Sequence, residues 1–145
     1  MLTLTVAAQA FAAEVSGKGS VTFVTSSEVS DLKHGNKLVR THFKGVVLAD
    51  DPKSSLHKSL QDCSGTTLLN KAGEQQSGAG YCAGTDPDGD IWWISWRSNA
   101  TGSDWSFIGG TGKHQGTKGG GKTLNVLQTS DRLVISWEGS WTTSK

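Results

Sequence analysis

Cysteine is almost missing from this chain: Cys63 and Cys82 are the only two. Neither belongs to a CxxC pair or stands near a histidine cluster of zinc-finger spacing. A zinc centre or a thioredoxin-type redox site therefore lacks its partners, and no metal is expected. An excess of charge is missing as well. The formal net charge is +1, and lysines and arginines are spread along the 145 residues rather than clustered. This leaves no electrostatic footprint for a polyanion and excludes nucleic acid as a natural partner. No repeat of solenoid period is visible, and no window of about ten residues after Ala13 carries a helical apolar stripe, which argues against solenoid and α/β designs. The one uncharged apolar run, Leu2 to Ala12, falls well short of the roughly 20 residues that a membrane-spanning helix needs.

What is abundant points elsewhere. Apolar residues make up only 34% of the chain, yet glycine reaches 19 and tryptophan 6, a mixture that suits short strands, tight turns and a few large aromatic fillers. The length suits one domain with one core. Period-2 alternation recurs between turn clusters. It predicts strands around Val21 to Val24 and Leu38 to Phe43, separated by a polar linker from Ser26 to Asn36. A third strand is expected from about Leu56 to Leu69 and a fourth from Gly78 to Thr85, joined by a turn at Asn70 to Gly73. The tight-turn signal Asp86-Pro87-Asp88-Gly89 leads into a strand from Asp90 to Arg97, which returns at Asp104 to Ile108. The Gly-rich stretch passes into Thr123 to Leu127, and a last strand runs from Leu133 to Trp141. About eight strands result, and the fold class is all-β and antiparallel, a closed barrel or a sandwich rather than any α/β design.

Residues 1–12 read differently from the domain at 13–145. Leu2 to Ala12 resembles the later part of a signal peptide, with small-x-small cleavage candidates at Ala8-Gln9-Ala10 and Ala10-Phe11-Ala12. The basic start of such a segment is missing, since Leu2 follows Met1 directly, which fits a Met1 internal to a longer reading frame. The alternative is a buried first strand or a short core helix. Export to a periplasm or to the medium is the expectation, and it agrees with one disulfide between Cys63 and Cys82 closing a Gly-, Ser- and Gln-rich loop. Two separate buried thiols are the competing reading.

Two motif matches fail on context. Gly116 to Thr123 (GTKGGGKT) satisfies the phosphate-loop pattern, whose chemistry needs a helix N-terminus behind the loop. Here Leu124-Asn125-Val126-Leu127 follows and alternates like a strand, so no nucleotide is expected. Asp86-Pro87-Asp88-Gly89-Asp90 resembles the start of a calcium loop but lacks the distal bidentate glutamate, and a β-turn explains it more simply. Asn99-Ala100-Thr101 matches the glycosylation pattern.

The segment Ile108-Gly109-Gly110-Thr111-Gly112-Lys113-His114-Gln115-Gly116 resembles the Gly-Gly-Ser/Thr-Gly-x-Phe-x-Gly stretch of the allene oxide cyclase-like barrel superfamily, which includes dirigent-type proteins. The resemblance covers roughly the last 60 residues. It implies an eight-stranded calycin-like barrel, commonly oligomeric, whose lumen receives an apolar small molecule without a cofactor. His114 stands where the family pattern has an aromatic residue. The motif is structural, because glycine supplies positive φ and close backbone approach at a barrel turn. It does not transfer catalytic positions to this chain.

No nucleophile elbow accompanies His34, His42, His57 and His114. Alternation turns Glu138 away from Trp137 and Trp141, and it sets Arg40, His42 and Lys44 on one solvated face. The tryptophans say more. Trp92 and Trp96 share a strand face, Trp93 takes the other, and Trp105 and Phe107 share a face of the next strand. Such density exceeds what filling requires and predicts a ligand pocket from Trp92, Trp96, Trp105, Phe107 and Trp137, with at least one ring outside the barrel. The function expected is binding of an apolar small molecule in the lumen or mouth. The competing functions are a cofactor-free isomerase or cyclase in the same lumen and a carbohydrate- or surface-binding module using exposed tryptophans.

Overall fold

The computed structural model describes residues 13–143, so the cleavage candidates at Ala8 to Ala12 lie outside the described residues. Eight antiparallel strands form one closed barrel in sequence order: β1 Glu14–Asp31, β2 Lys37–Ala49, β3 Leu60–Leu69, β4 Gln75–Thr85, β5 Ile91–Ser98, β6 Gly102–Gly110, β7 Lys118–Gln128 and β8 Arg132–Thr142. Pairing of β1 with β8 closes the sheet, with Gly19 opposite Trp137 and Phe23 opposite Leu133. Closure leaves no open edge for another chain to extend. No described helix is long and apolar enough to cross a membrane.

Several boundaries differ from the sequence reading, three of them for a physical reason visible in the fold. The polar stretch from Ser26 to Asp31 is not linker but the end of β1, paired with β2 from Ser26 opposite His42 to Asp31 opposite Lys37. Its alternation fades because the strand outruns the core there, and its residues are almost all exposed. The turn is only Leu32 to Asn36, closed by the Leu32 N–H to the Asn36 carbonyl at 2.8 Å, with His34 and Gly35 at positive φ. The third strand begins at Leu60. Leu56 belongs to the preceding loop, which Lys58 turns at φ 62°, and is buried in the core. Three of the four glycines of the phosphate-loop match lie within β7, where Gly119, Gly120 and Gly121 pair with Trp141, Ser140 and Gly139. A strand thus occupies the place where a nucleotide loop needs a helix.

The two ends of the barrel are unlike. At one, the loops 50–59, 86–90 and 111–117 contribute the buried Leu56, Ser59, Asp86, His114 and Thr117, and the lumen is filled by rings. Phe107 meets Trp92, Trp105 and Trp141 edge to face at 6.2, 5.4 and 5.9 Å. The other end, with the turns 32–36, 70–74, 99–101 and 129–131, is open.

Glycine and tryptophan are coupled in this lumen. A Cβ on Gly65 or Gly80 would stand 2.2 or 2.5 Å from Trp96, one on Gly84 2.0 Å from Trp92, one on Gly139 2.5 Å from Trp105 and one on Gly17 2.9 Å from Trp141. Each indole lies over bare backbone on a strand beside its own or next but one, so one large ring fills space that a second side chain would otherwise take. The abundance of tryptophan that exceeds ordinary filling is in large part this packing rule.

Cys63 and Cys82 sit opposite each other on β3 and β4 and are joined by a disulfide, 19 residues apart in sequence. The intact protein is expected to weigh two hydrogens less than its reduced form by mass spectrometry. Cys63→Ser/Cys82→Ser should lower stability in urea by about 3 kcal/mol, the chain-entropy value for a loop of this length. Two freely alkylated thiols in the native protein would contradict the link.

Candidate functional site

Alternation on each strand decides what reaches the open half of the lumen. From β1 come Phe23, Thr25 and Ser27, from β2 Val39, Thr41 and Phe43, from β3 Gln61, Cys63 and Thr67, and from β8 Leu133 and Ile135. With Trp96 and Trp105 they line a cavity of about 300 Å³. This is the low end of the range for small-molecule sites, and eight strands leave an interior just wide enough for one small ligand. Phe43 forms its hinge of rings, edge to face with Phe23 at 5.8 Å and with Trp96 at 6.0 Å. The wall is therefore aromatic toward the middle of the barrel and hydroxyl-rich toward the mouth.

The polar groups near the mouth largely satisfy one another. Ser27 and Thr41 hydroxyls bond at 2.8 Å, Ser103 and Thr123 at 2.8 Å, and Gln75 Nε2 donates to Ser98 Oγ at 2.8 Å. Deeper in, Gln61 is only 7% exposed, and its Oε1 has no hydrogen-bond partner among the described residues. Among the residues that line the cavity, Arg132 at the rim is the one with a charge, and its Nη1 is held by the Asp131 carboxylate at 3.1 Å. Among the described residues, no carboxylate, histidine or lysine lines the cavity. Such a wall can hold and orient a molecule, but it offers no ordinary proton donor or acceptor of tunable pKa.

The residues predicted for the pocket divide. Trp96 and Trp105 line the cavity, whereas Trp92, Phe107 and Trp137 are buried in the core outside its lining. Trp92 donates from Nε1 to Ser59 Oγ at 3.1 Å. Trp93 is 38% exposed on the outer face, while the other five tryptophans belong to the core or pack against it. Glu138, Arg40, His42 and Lys44 are exposed, as alternation predicts. Sequence reasoning missed Phe43, Gln61, Leu133 and Ile135 as lining residues. The inward parity of their strands held that signal, but parity alone does not tell which level of the barrel is empty.

The second polar cluster lies at the closed end, where the Gly-rich connection folds His114 under Gly110. Asp86 Oδ2 receives Lys113 Nζ at 2.9 Å and faces His114 Nε2 at 2.8 Å. Its Oδ1 accepts the N–H groups of Asp88 at 2.8 Å and Asp90 at 3.1 Å. Burial alone would push the Asp86 carboxyl up, but these hydrogen bonds outweigh it and bring it from 3.8 to about 2. Hydrogen bonds that it donates to the Asp88 and Asp86 carboxylates hold the Lys113 ammonium above its usual value. His114 is 1% exposed, so the cluster is a polar knot that fastens two loops rather than a surface for a substrate. The aromatic residue of the family pattern is replaced here by half of a buried polar pair.

Seven solved chains match the fold at high significance. Two are the pterocarpan synthase dirigent proteins GePTS1 and PsPTS1. The first is 12% identical with a TM-score of 0.60 over 100% of this chain and 98% of that one. The second is 11% identical with a TM-score of 0.66 over 92% and 97%. The fold is that of a dirigent barrel. No protein-family model matches the sequence, and no curated protein matches it either. Identity this low carries the architecture and not the chemistry.

Proposed function

We propose that this barrel binds a small, largely apolar aromatic molecule in the open half of its lumen and holds it without acid–base chemistry of its own. One observation carries the reading: the lumen is filled with rings at one end and left open at the other, with Phe43, Trp96 and Trp105 facing the space. The likeness of the fold to pterocarpan synthase dirigent proteins supports it. A cofactor-free isomerase acting in the same lumen would want a titratable group at the wall, and among the described residues the lining supplies only Arg132 at the rim. A surface-binding module would rest on Trp93 alone among the tryptophans. The Cys63–Cys82 disulfide supports residence in an oxidising compartment, outside the cell or in a periplasm.

The probe 2-naphthol is expected to quench tryptophan fluorescence saturably. Trp96→Ala should weaken its binding by about 1 to 3 kcal/mol, the loss of one large apolar contact. A quench that stays linear for every aromatic probe tried would sink the reading. A response abolished only by Trp93→Ala would move the site to the outer face.

A further inference from the structure

We propose that Gln61 is the specificity-determining residue of this lumen and selects aromatic ligands that carry a hydrogen-bond donor, an O–H or N–H, on the edge that enters first. The inference rests on the lumen-binding reading. Gln61 projects inward from β3, and its register partners on both sides are glycines, Gly45 on β2 and Gly84 on β4. Neither neighbouring strand therefore offers a side chain at that level to pair with its amide.

Rings occupy the space that those glycines leave. A Cβ on Gly45 would meet Phe23 at 2.8 Å, and one on Gly84 would meet Trp92 at 2.0 Å. The indole N–H of Trp92 is already given to Ser59. The Gln61 amide is thus caged by apolar ring surface on both flanks and borders the cavity on its remaining side. A buried amide carbonyl without a partner is costly, whereas hydroxyls nearer the mouth pair with one another, Ser27 with Thr41 and Ser103 with Thr123. Rotation about χ3, a broad terminal torsion, turns the oxygen toward the cavity. A donor on a ring that packs beside Phe43 and Trp96 would then pair with the one buried polar atom of the lining that lacks a partner among the described residues.

The test uses two probes of nearly equal shape, 2-naphthol and 2-methoxynaphthalene, titrated into the wild-type protein, Gln61→Leu and Gln61→Met by calorimetry. The expected result is about tenfold tighter binding of 2-naphthol by the wild type, the value of one net hydrogen bond. In both variants the two probes should bind within about twofold of each other. Met keeps the length of the side chain and guards against misfolding by Leu. Equal affinities in the wild type, or a preference that survives both substitutions, would overturn the role of Gln61 and leave lumen binding intact. Failure of both probes to bind the wild type would overturn lumen binding itself, and the role of Gln61 with it.

Discussion

Gly84→Ala is expected to destabilise the barrel by about 3 kcal/mol, the upper range for overpacking a well-filled core. The added methyl would stand 2.0 Å from both Cε2 and Cζ2 of Trp92 and 2.6 Å from its Nε1. The indole has nowhere to retreat, since it is 3% exposed, bonded to Ser59 and set against Phe107. In a protein of this size the loss corresponds to a fall in melting temperature of roughly 10 °C. Combining it with Trp92→Phe, which shortens the ring, should cost at least about 1 kcal/mol less than the sum of the single changes. Gly73→Ala is the control: that glycine has φ 82° in an open turn with no atom near its Cβ position, so only the left-handed backbone is penalised, by about 1 kcal/mol. A Gly84→Ala protein as stable as the wild type would refute the ring-over-glycine account of the core.

Asp86→Asn should cost about 3 kcal/mol at neutral pH, because it takes the negative charge from a buried pair that Lys113 and His114 both address. Its signature lies in the pH dependence. The folded carboxyl titrates at about 2 against an ordinary 3.8, so between those values the unfolded chain binds the proton and the folded one does not. The contribution is therefore complete above about pH 4 and is lost as the pH falls toward 2, a step on the order of 2 kcal/mol. Urea denaturation across that interval should show this step in the wild type and a shallower slope in Asp86→Asn. Parallel slopes would mean that the knot contributes nothing to acid sensitivity.

Much of the barrel is legible in the sequence, because strands covered by the core alternate with period 2. Trp92, Ile94 and Trp96 turn inward together, as do Leu133, Ile135 and Trp137, and the turns at Asp86 to Gly89 and Asn70 to Gly73 announce themselves chemically. Alternation failed where burial stops, at Ser26 to Asp31, and it mistook Leu56 for a strand residue because a loop can also deliver an apolar side chain to a core. The site was harder to read. Trp92 and Trp96 look equivalent along β5, but Trp92 covers Gly84 at the filled end while Trp96, over Gly65 and Gly80, borders the cavity. That difference depends on loops 50–59 and 111–117 stopping one end, and on pairs such as Asp86 with His114, 28 residues apart, which no local pattern records.

The indole N–H resonances of the six tryptophans provide the most direct test of binding in the open half of the lumen. In ¹⁵N-labelled protein titrated with 2-naphthol, the account predicts that the Trp96 and Trp105 signals move together along one saturating curve. Those of Trp92, Trp137, Trp141 and the outer-face Trp93 should stay in place or move far less. Movement confined to Trp93, or no movement at any tryptophan at saturating probe, would contradict it.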